Sequence, residues 1–278
     1  MTASGGNSAG GGFADLALRT ITALIFGAVA MAAMLAGGHW FALLIAVLAA
    51  SMVFEWRMIS LKHAERAVAG FQILAVVGAT VMAHFGDVNA AISFLLAVSG
   101  AGAAADAILR RNVGWGLVGA LYIGAGAICF IALRGASPEG LLAIFWIALV
   151  VIATDIGAYF SGRIVGGPKL WRRVSPNKTW AGLIGGMVMA GLASGVFSAL
   201  IVGYIELVLV LLGAIVAVVA QMGDLGESAY KRHFGVKDSG AILPGHGGVL
   251  DRLDGMLAAT IFVAILTLMR GGAPIHQW

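Results

Sequence analysis

Nine apolar blocks, each close to 20 residues long, follow one another along this chain with mostly short polar interruptions. They fall at roughly 16–36, 39–59, 67–85, 88–108, 113–133, 140–160, 180–202, 204–222 and 252–270. At 1.5 Å rise per residue, about 20 residues cross a hydrocarbon core of about 30 Å. Backbone groups in lipid must be satisfied within their own segment, which leaves helices as the workable form. The chain is 60% hydrophobic and 11% charged, well above the roughly 45–50% apolar content of soluble domains. The expected fold class is therefore all-α, a polytopic integral membrane protein with about nine transmembrane helices. Cys129 is the single cysteine, so a disulfide framework and a cysteine-based zinc site are excluded.

Basic residues orient the spans. With the N-terminus cytoplasmic, Arg134 and Arg270 are the only lysines or arginines expected on the far side, as the positive-inside rule requires. The first thirteen residues contain no lysine or arginine and so lack the basic start of a signal peptide. The expected organisation is a disordered tail over 1–15, transmembrane helices over 16–140, and a transmembrane catalytic region over 141–278. Two cytoplasmic loops, at about 161–179 and 223–251, are long and polar where the other connections are short. Such loops are where function concentrates.

The first loop is entered through Asp155, which lies among apolar residues about two turns before it, and through Arg163. An ionised carboxylate at that depth needs a cation, a metal or a water-filled cavity. The segment Ser175-Pro176-Asn177-Lys178-Thr179-Trp180 leads into the next span. Ser175 or Asn177 reads as a helix cap, and with Lys178 and Thr179 the helix start reads equally as a phosphate site. Along that helix Gly182, Gly186, Ala190, Ser194 and Ser198 recur at every fourth position. This stripe permits close helix contact, within the protomer or across a dimer.

The second loop holds the densest charge. Asp224 and Glu227 are three residues apart and share a helix face, and Asp251 and Asp254 repeat that spacing at the start of the last span. Lys231, Arg232, Lys237 and Arg252 stand among them. One such pair alone would read as an ion pair. Four converging carboxylates beside four cations read as a site for a hard divalent cation and a phosphate, since Mg²⁺ takes one or two carboxylates together with substrate phosphates. Pro244-Gly245-His246-Gly247-Gly248 adds a tight turn whose backbone amides can approach a phosphate, with His246 as a donor or proton carrier.

The motifs Ser228-x-x-Lys231-Arg232, Lys237-Asp238-x-Gly240, Pro244-x-His246-Gly247-Gly248 and Asp251-Arg252-x-Asp254 resemble the signature of the phosphatidate cytidylyltransferase family. Gly223-Asp224-x-x-Glu227-Ser228, Asp155-x-x-Ala158-Tyr159-x-x-Gly162-Arg163 and Ser175-Pro176-x-Lys178-Thr179-Trp180 are similar to that family too. The resemblance covers about 150–260. Tyr230, Ile156, Asn177 and Ala181 depart from the family's usual residues.

The resemblance implies transfer of CMP from CTP to phosphatidate, giving CDP-diacylglycerol and pyrophosphate, on the cytoplasmic face of a bacterial inner membrane. It implies Mg²⁺ as cofactor, with a second cation as an option, and Asp224 and Asp251 as principal metal ligands supported by Glu227 and Asp254. Lys231, Arg232, Lys237 and Arg252 would neutralise substrate phosphates. Asp238 and His246 join the catalytic set, and Asp155, Arg163, Ser175, Lys178, Thr179, Gly247 and Gly248 the substrate-binding set. The expected partners are CTP, phosphatidate and membrane lipid, without nucleic acid, and with a homodimer as an option. Two other readings compete: a secondary transporter using the acids as ion sites, and a different Mg²⁺-dependent lipid-phosphate transferase. A transporter would place its acids near the midplane in repeated halves, whereas these cluster toward one face.

Overall fold

The computed structural model describes residues 9–60, 66–109, 113–243 and 247–272; for 9–19 and 66–68 the backbone alone is described. Nine α-helices follow in chain order among them: α1 (Ala9–Ala36), α2 (Gly38–Ser60), α3 (Arg66–His84), α4 (Val88–Ile108), α5 (Val113–Arg134), α6 (Pro138–Ile164), α7 (Trp180–Val202), α8 (Leu207–His233) and α9 (Leu250–Met269). Seven of these, all but α1 and α3, are long and apolar enough over the described residues to cross a membrane. Their outward faces carry exposed large apolar side chains such as Leu192, Val196, Leu211 and Ile215. These features make the chain an all-helical integral membrane protein in its bulk.

Several boundaries differ from those expected. Helix α1 begins at Ala9, so residues 9–15 of the expected tail are helical; 1–8 lie outside the described residues. Helix α8 runs unbroken through Asp224 to His233, and the second polar loop starts only at Phe234. The apolar pattern stops at Met222, but no proline falls between there and His233 to end the helix. The first loop holds a small hairpin, β1 (Lys169–Trp171) antiparallel to β2 (Ser175–Thr179). A purely α-helical description is thus incomplete for that loop. Thr179, rather than Ser175 or Asn177, caps α7: its Oγ1 accepts from the Gly182 amide at 3.0 Å.

Two apolar cores organise the bundle. One joins α2, α3, α4 and α5 and includes Tyr230 of α8 and Leu250 and Leu257 of α9. The other joins α6 to α9 around Trp146, Ile147, Val150 and Val216. Helix α9 belongs to both, so the C-terminal acids stand where the two halves meet. The small-residue stripe of α7 is buried within the protomer. A Cβ at Gly186 would lie 2.8 Å from Gln221 Nε2 and 3.0 Å from the Thr154 carbonyl, and Ser194 Oγ accepts from Trp146 Nε1 at 3.1 Å. Close approach of α6 and α8 to α7 is what these small side chains permit.

Arg57, counted from sequence among the charges on the cytoplasmic side, is fully buried. It makes a two-pronged pair with Asp106 of α4 at 2.7 and 3.0 Å, and Gly116 of α5 leaves room for it, since a Cβ there would fall 2.0 Å from Nη1. Such fork geometry suits Arg in particular. Arg134 is likewise buried, donating to the Met34 carbonyl at 3.0 Å in the last turn of α1, where a cation complements the helix dipole.

Candidate active site

The last turns of α8 and the first turns of α9 cross closely because both are glycine-lined there. A Cβ at Gly223 would meet the Asp254 carbonyl at 2.7 Å, and one at Gly255 the Ala220 carbonyl at 3.0 Å. The crossing brings Asp224 and Glu227 of α8 against Asp254 of α9, with ligand oxygens all within 4.8 Å of one another. Glu227 is buried, and its Oε1 has no hydrogen-bond partner. Three carboxylates this close repel unless a cation stands near them.

Two lysines supply part of that charge. Lys231, one turn beyond Glu227 on α8, places Nζ 2.8 Å from Glu227 Oε2 and 2.6 Å from Asp251 Oδ1. Lys178, at the end of β2, places Nζ 2.6 Å from Asp224 Oδ2. The hairpin thus delivers a first-loop lysine to a second-loop acid, joining the two polar loops at one centre.

Asp251 is engaged differently from the other three acids. Besides Lys231, its Oδ2 accepts from the Ser239 and Gly248 amides, each at 3.1 Å. It therefore ties down both ends of the 239–248 loop while sharing Lys231 with Glu227. The structure groups Asp254, read from sequence as a support, with Asp224 and Glu227. Asp251, read as a principal ligand, sits across the Lys231 ammonium from them.

Beside Asp224 opens a cavity of about 510 Å³ between α6, α7, α8 and β2. Asp155, Arg163, Lys178 and Thr179, all singled out from sequence, line it, with Asn177 and Gln221. Arg163 Nη1 donates to Tyr159 Oη at 3.2 Å. Tight packing of α6 on α7 forms the cavity wall, where a Cβ on Gly182 would lie 3.0 Å from the Ala158 carbonyl.

The remaining expected residues are placed less centrally. Ser175 lies in β2 opposite Trp171 and does not line the cavity. Arg232 is exposed and donates to the Val236 carbonyl at 3.0 Å. Lys237, Asp238 and Arg252 are exposed around the loop. Gly247 takes a left-handed backbone conformation (φ +82°) and its carbonyl accepts from the Leu243 amide. His246 lies outside the described residues.

Sequence reasoning missed Glu55, Gln221 and Tyr122. Glu55 of α2 accepts from the Val249 and Leu250 amides at 3.0 and 2.8 Å and from Ser239 Oγ at 3.2 Å. Tyr122 of α5 donates to the Asp254 carbonyl at 3.3 Å. Gln221 is buried beneath the cavity, its Nε2 without a partner. The signal for Glu55 was available as a carboxylate inside the 39–59 apolar block. Tyr122 carried none, since a tyrosine in an apolar helix is ordinary.

The model of the cytidylyltransferase family matches residues 17–269. Among curated proteins, the phosphatidate cytidylyltransferase of Brucella suis is 40% identical over 251 residues, covering 88% of this chain and 90% of its own. That of Staphylococcus haemolyticus is 36% identical over 263 residues, covering 90% of this chain and 98% of its own. The Bacillus subtilis protein of the same name is 46% identical over 158 residues, or 56% of this chain and 58% of its own.

Proposed function

The chain belongs to the cytidylyltransferase family, and from that premise we propose that it transfers CMP from CTP to phosphatidate. A phosphate oxygen of phosphatidate forms a bond to the α-phosphorus of CTP. The bond from that phosphorus to the α–β bridging oxygen breaks, and pyrophosphate leaves with its electron pair. The product is CDP-diacylglycerol, a phospholipid precursor. The observation that carries this reading is the convergence of Asp224, Glu227 and Asp254 with Lys178 and Lys231 beside one polar cavity.

The chemistry asks little of a general base. A phosphate monoester has a second pKa of about 6, so the attacking oxygen is already anionic at neutral pH. The barrier lies in bringing anions together and in stabilising charge on the leaving pyrophosphate. Lys178 and Arg163 face the cavity, where a point charge and a planar fork can both hold phosphate oxygens. The Thr179 cap leaves the start of α7 with its positive dipole end at the same place.

The acid cluster fits a hard divalent cation, because its donors are all carboxylate oxygens and one buried oxygen, Glu227 Oε1, has no partner. Asp224, Glu227 and Asp254 would hold Mg²⁺. When bound, Mg²⁺ would neutralise the substrate phosphates and polarise a phosphoryl oxygen. Asp251 is proposed to order the 239–248 loop and to share charge with the same centre through Lys231. Arg232, Lys237, Arg252 and His246 are proposed to meet the outer phosphates of CTP.

Nine crossings, with the site on the cytoplasmic face of a bacterial inner membrane, complete the proposal; the distribution of lysine and arginine supports it. The deciding assay uses purified protein, labelled CTP, phosphatidate and Mg²⁺. Formation of CDP-diacylglycerol that disappears with chelator is expected. No product, or product indifferent to divalent metal, would show the proposal to be wrong.

A further inference from the structure

Helix α9 carries Asp251 and Asp254 yet has no side-chain cap of its own at Val249. Two amides at its start are satisfied from the other half of the molecule. The Glu55 carboxylate, 1% exposed, spreads its two oxygens over the Val249 amide at 3.0 Å and the Leu250 amide at 2.8 Å. A third donor, Ser239 Oγ, reaches it from the far end of the loop at 3.2 Å.

The Glu55 contacts interlock with those of Asp251. Ser239 gives its hydroxyl to Glu55 and its amide to Asp251; Gly248 gives its amide to Asp251, and the next amide, that of Val249, goes to Glu55. The chain closes so tightly that a Cβ at Gly240 or at Gly248 would lie 2.7 Å from a Glu55 oxygen. A buried carboxylate is costly unless its lone pairs are filled, and here backbone amides, a hydroxyl and a helix dipole fill them.

We propose that Glu55 is a positioning residue for the reaction: it fixes the start of α9 and the 239–248 loop, and through them the Asp251–Lys231–Glu227 chain. It is sealed from the cavity and acts through those groups. Both of its oxygens must accept. The isosteric amide in Glu55→Gln keeps one acceptor but turns an NH₂ group toward a backbone or hydroxyl donor, so charge and acceptor geometry are lost while volume is kept.

The test compares full-length wild type with Glu55→Gln and Glu55→Ala in detergent, by amide hydrogen exchange and by turnover against Mg²⁺ and phosphatidate. The turnover arm rests on the cytidylyltransferase reading; the exchange arm does not. Exchange at Val249 and Leu250 is expected to quicken about tenfold or more in both variants, as befits lost acceptors for buried donors. In Glu55→Gln, kcat should fall about tenfold while the Mg²⁺ concentration for half-activation rises several-fold. Wild-type exchange at these amides, or an unchanged Mg²⁺ requirement with lower activity explained by less folded protein, would overturn the proposal. If Glu55→Ala does not fold, Glu55→Gln carries the test. If wild type makes no CDP-diacylglycerol, the reaction assignment fails and the exchange arm still decides the role of Glu55.

Discussion

Replacing Lys231 with methionine removes the cation from a group of acids while keeping most of the length of the side chain. Lys231 Nζ touches Glu227 and Asp251 at 2.8 and 2.6 Å, and the three side chains are 10, 3 and 14% exposed. At an effective dielectric near 20, a unit-charge pair about 4 Å apart attracts by about 4 kcal/mol before desolvation is charged against it. Breaking a buried pair and leaving its partner ionised costs about 3–5 kcal/mol. Lys231→Met should therefore lower stability by about 3 kcal/mol in metal-free detergent, the low end because Asp251 keeps its two amide donors. A bound divalent cation would offset this: saturation at a hundred times Kd stabilises by about 2.7 kcal/mol, and the variant, with more uncompensated carboxylate, should gain more from it than wild type. Thermal unfolding with and without Mg²⁺ reads both quantities. A variant as stable as wild type without metal, or one that gains no more from Mg²⁺, would refute the charge-balance reasoning.

Asp224→Asn should abolish turnover while the protein stays folded in detergent, because it removes one cation ligand and the partner of Lys178; near wild-type activity would reject the ligand assignment. Asp106→Asn strands Arg57 in the bundle and should cost about 3–5 kcal/mol in thermal stability, with no role in the chemistry to account for any change in Mg²⁺ requirement. Gly248→Ala forces a Cβ to within 1.9 Å of Ser239 Oγ. It should loosen the 239–248 loop and lower turnover about tenfold or more, read by limited proteolysis alongside the assay.

The apolar blocks made the helical membrane fold legible, since their length and apolarity decide it. The acids were legible individually, but which of them converge depends on a crossing set by Gly223 and Gly255, and glycines leave no chemical signature of the partner they admit. Asp251 and Asp254 look interchangeable in sequence; only the loop amides, which reach Asp251, separate them. The hairpin was hidden because Lys169–Trp171 and Ser175–Thr179 are too short to show alternation. Glu55 was visible as a lone carboxylate in an apolar block, but its partner was hidden by distance, the Leu250 amide lying 195 positions away. That contact is one link between the first 140 residues and the start of α9.

Helix α8 is 27 residues long, or about 40 Å at 1.5 Å per residue, against a hydrocarbon core of about 30 Å. Asp224, Glu227 and Lys231 ride on one rigid rod, so their mutual spacing is indifferent to how that rod leans. Asp251 and Asp254 ride on α9, a 20-residue helix with little length to spare. Only the apolar parts of the two helices answer to bilayer thickness; they end at Met222 in α8 and begin after Asp254 in α9, and a difference in their tilt would slide one set of acids past the other. Turnover in vesicles of graded acyl length measures that slide; a flat profile would mean the Glu55 and Lys231 links hold the two helices together against it. With a graded profile, the lipid matrix would be a mechanical load on this molecule, setting the register of its two acidic helix ends.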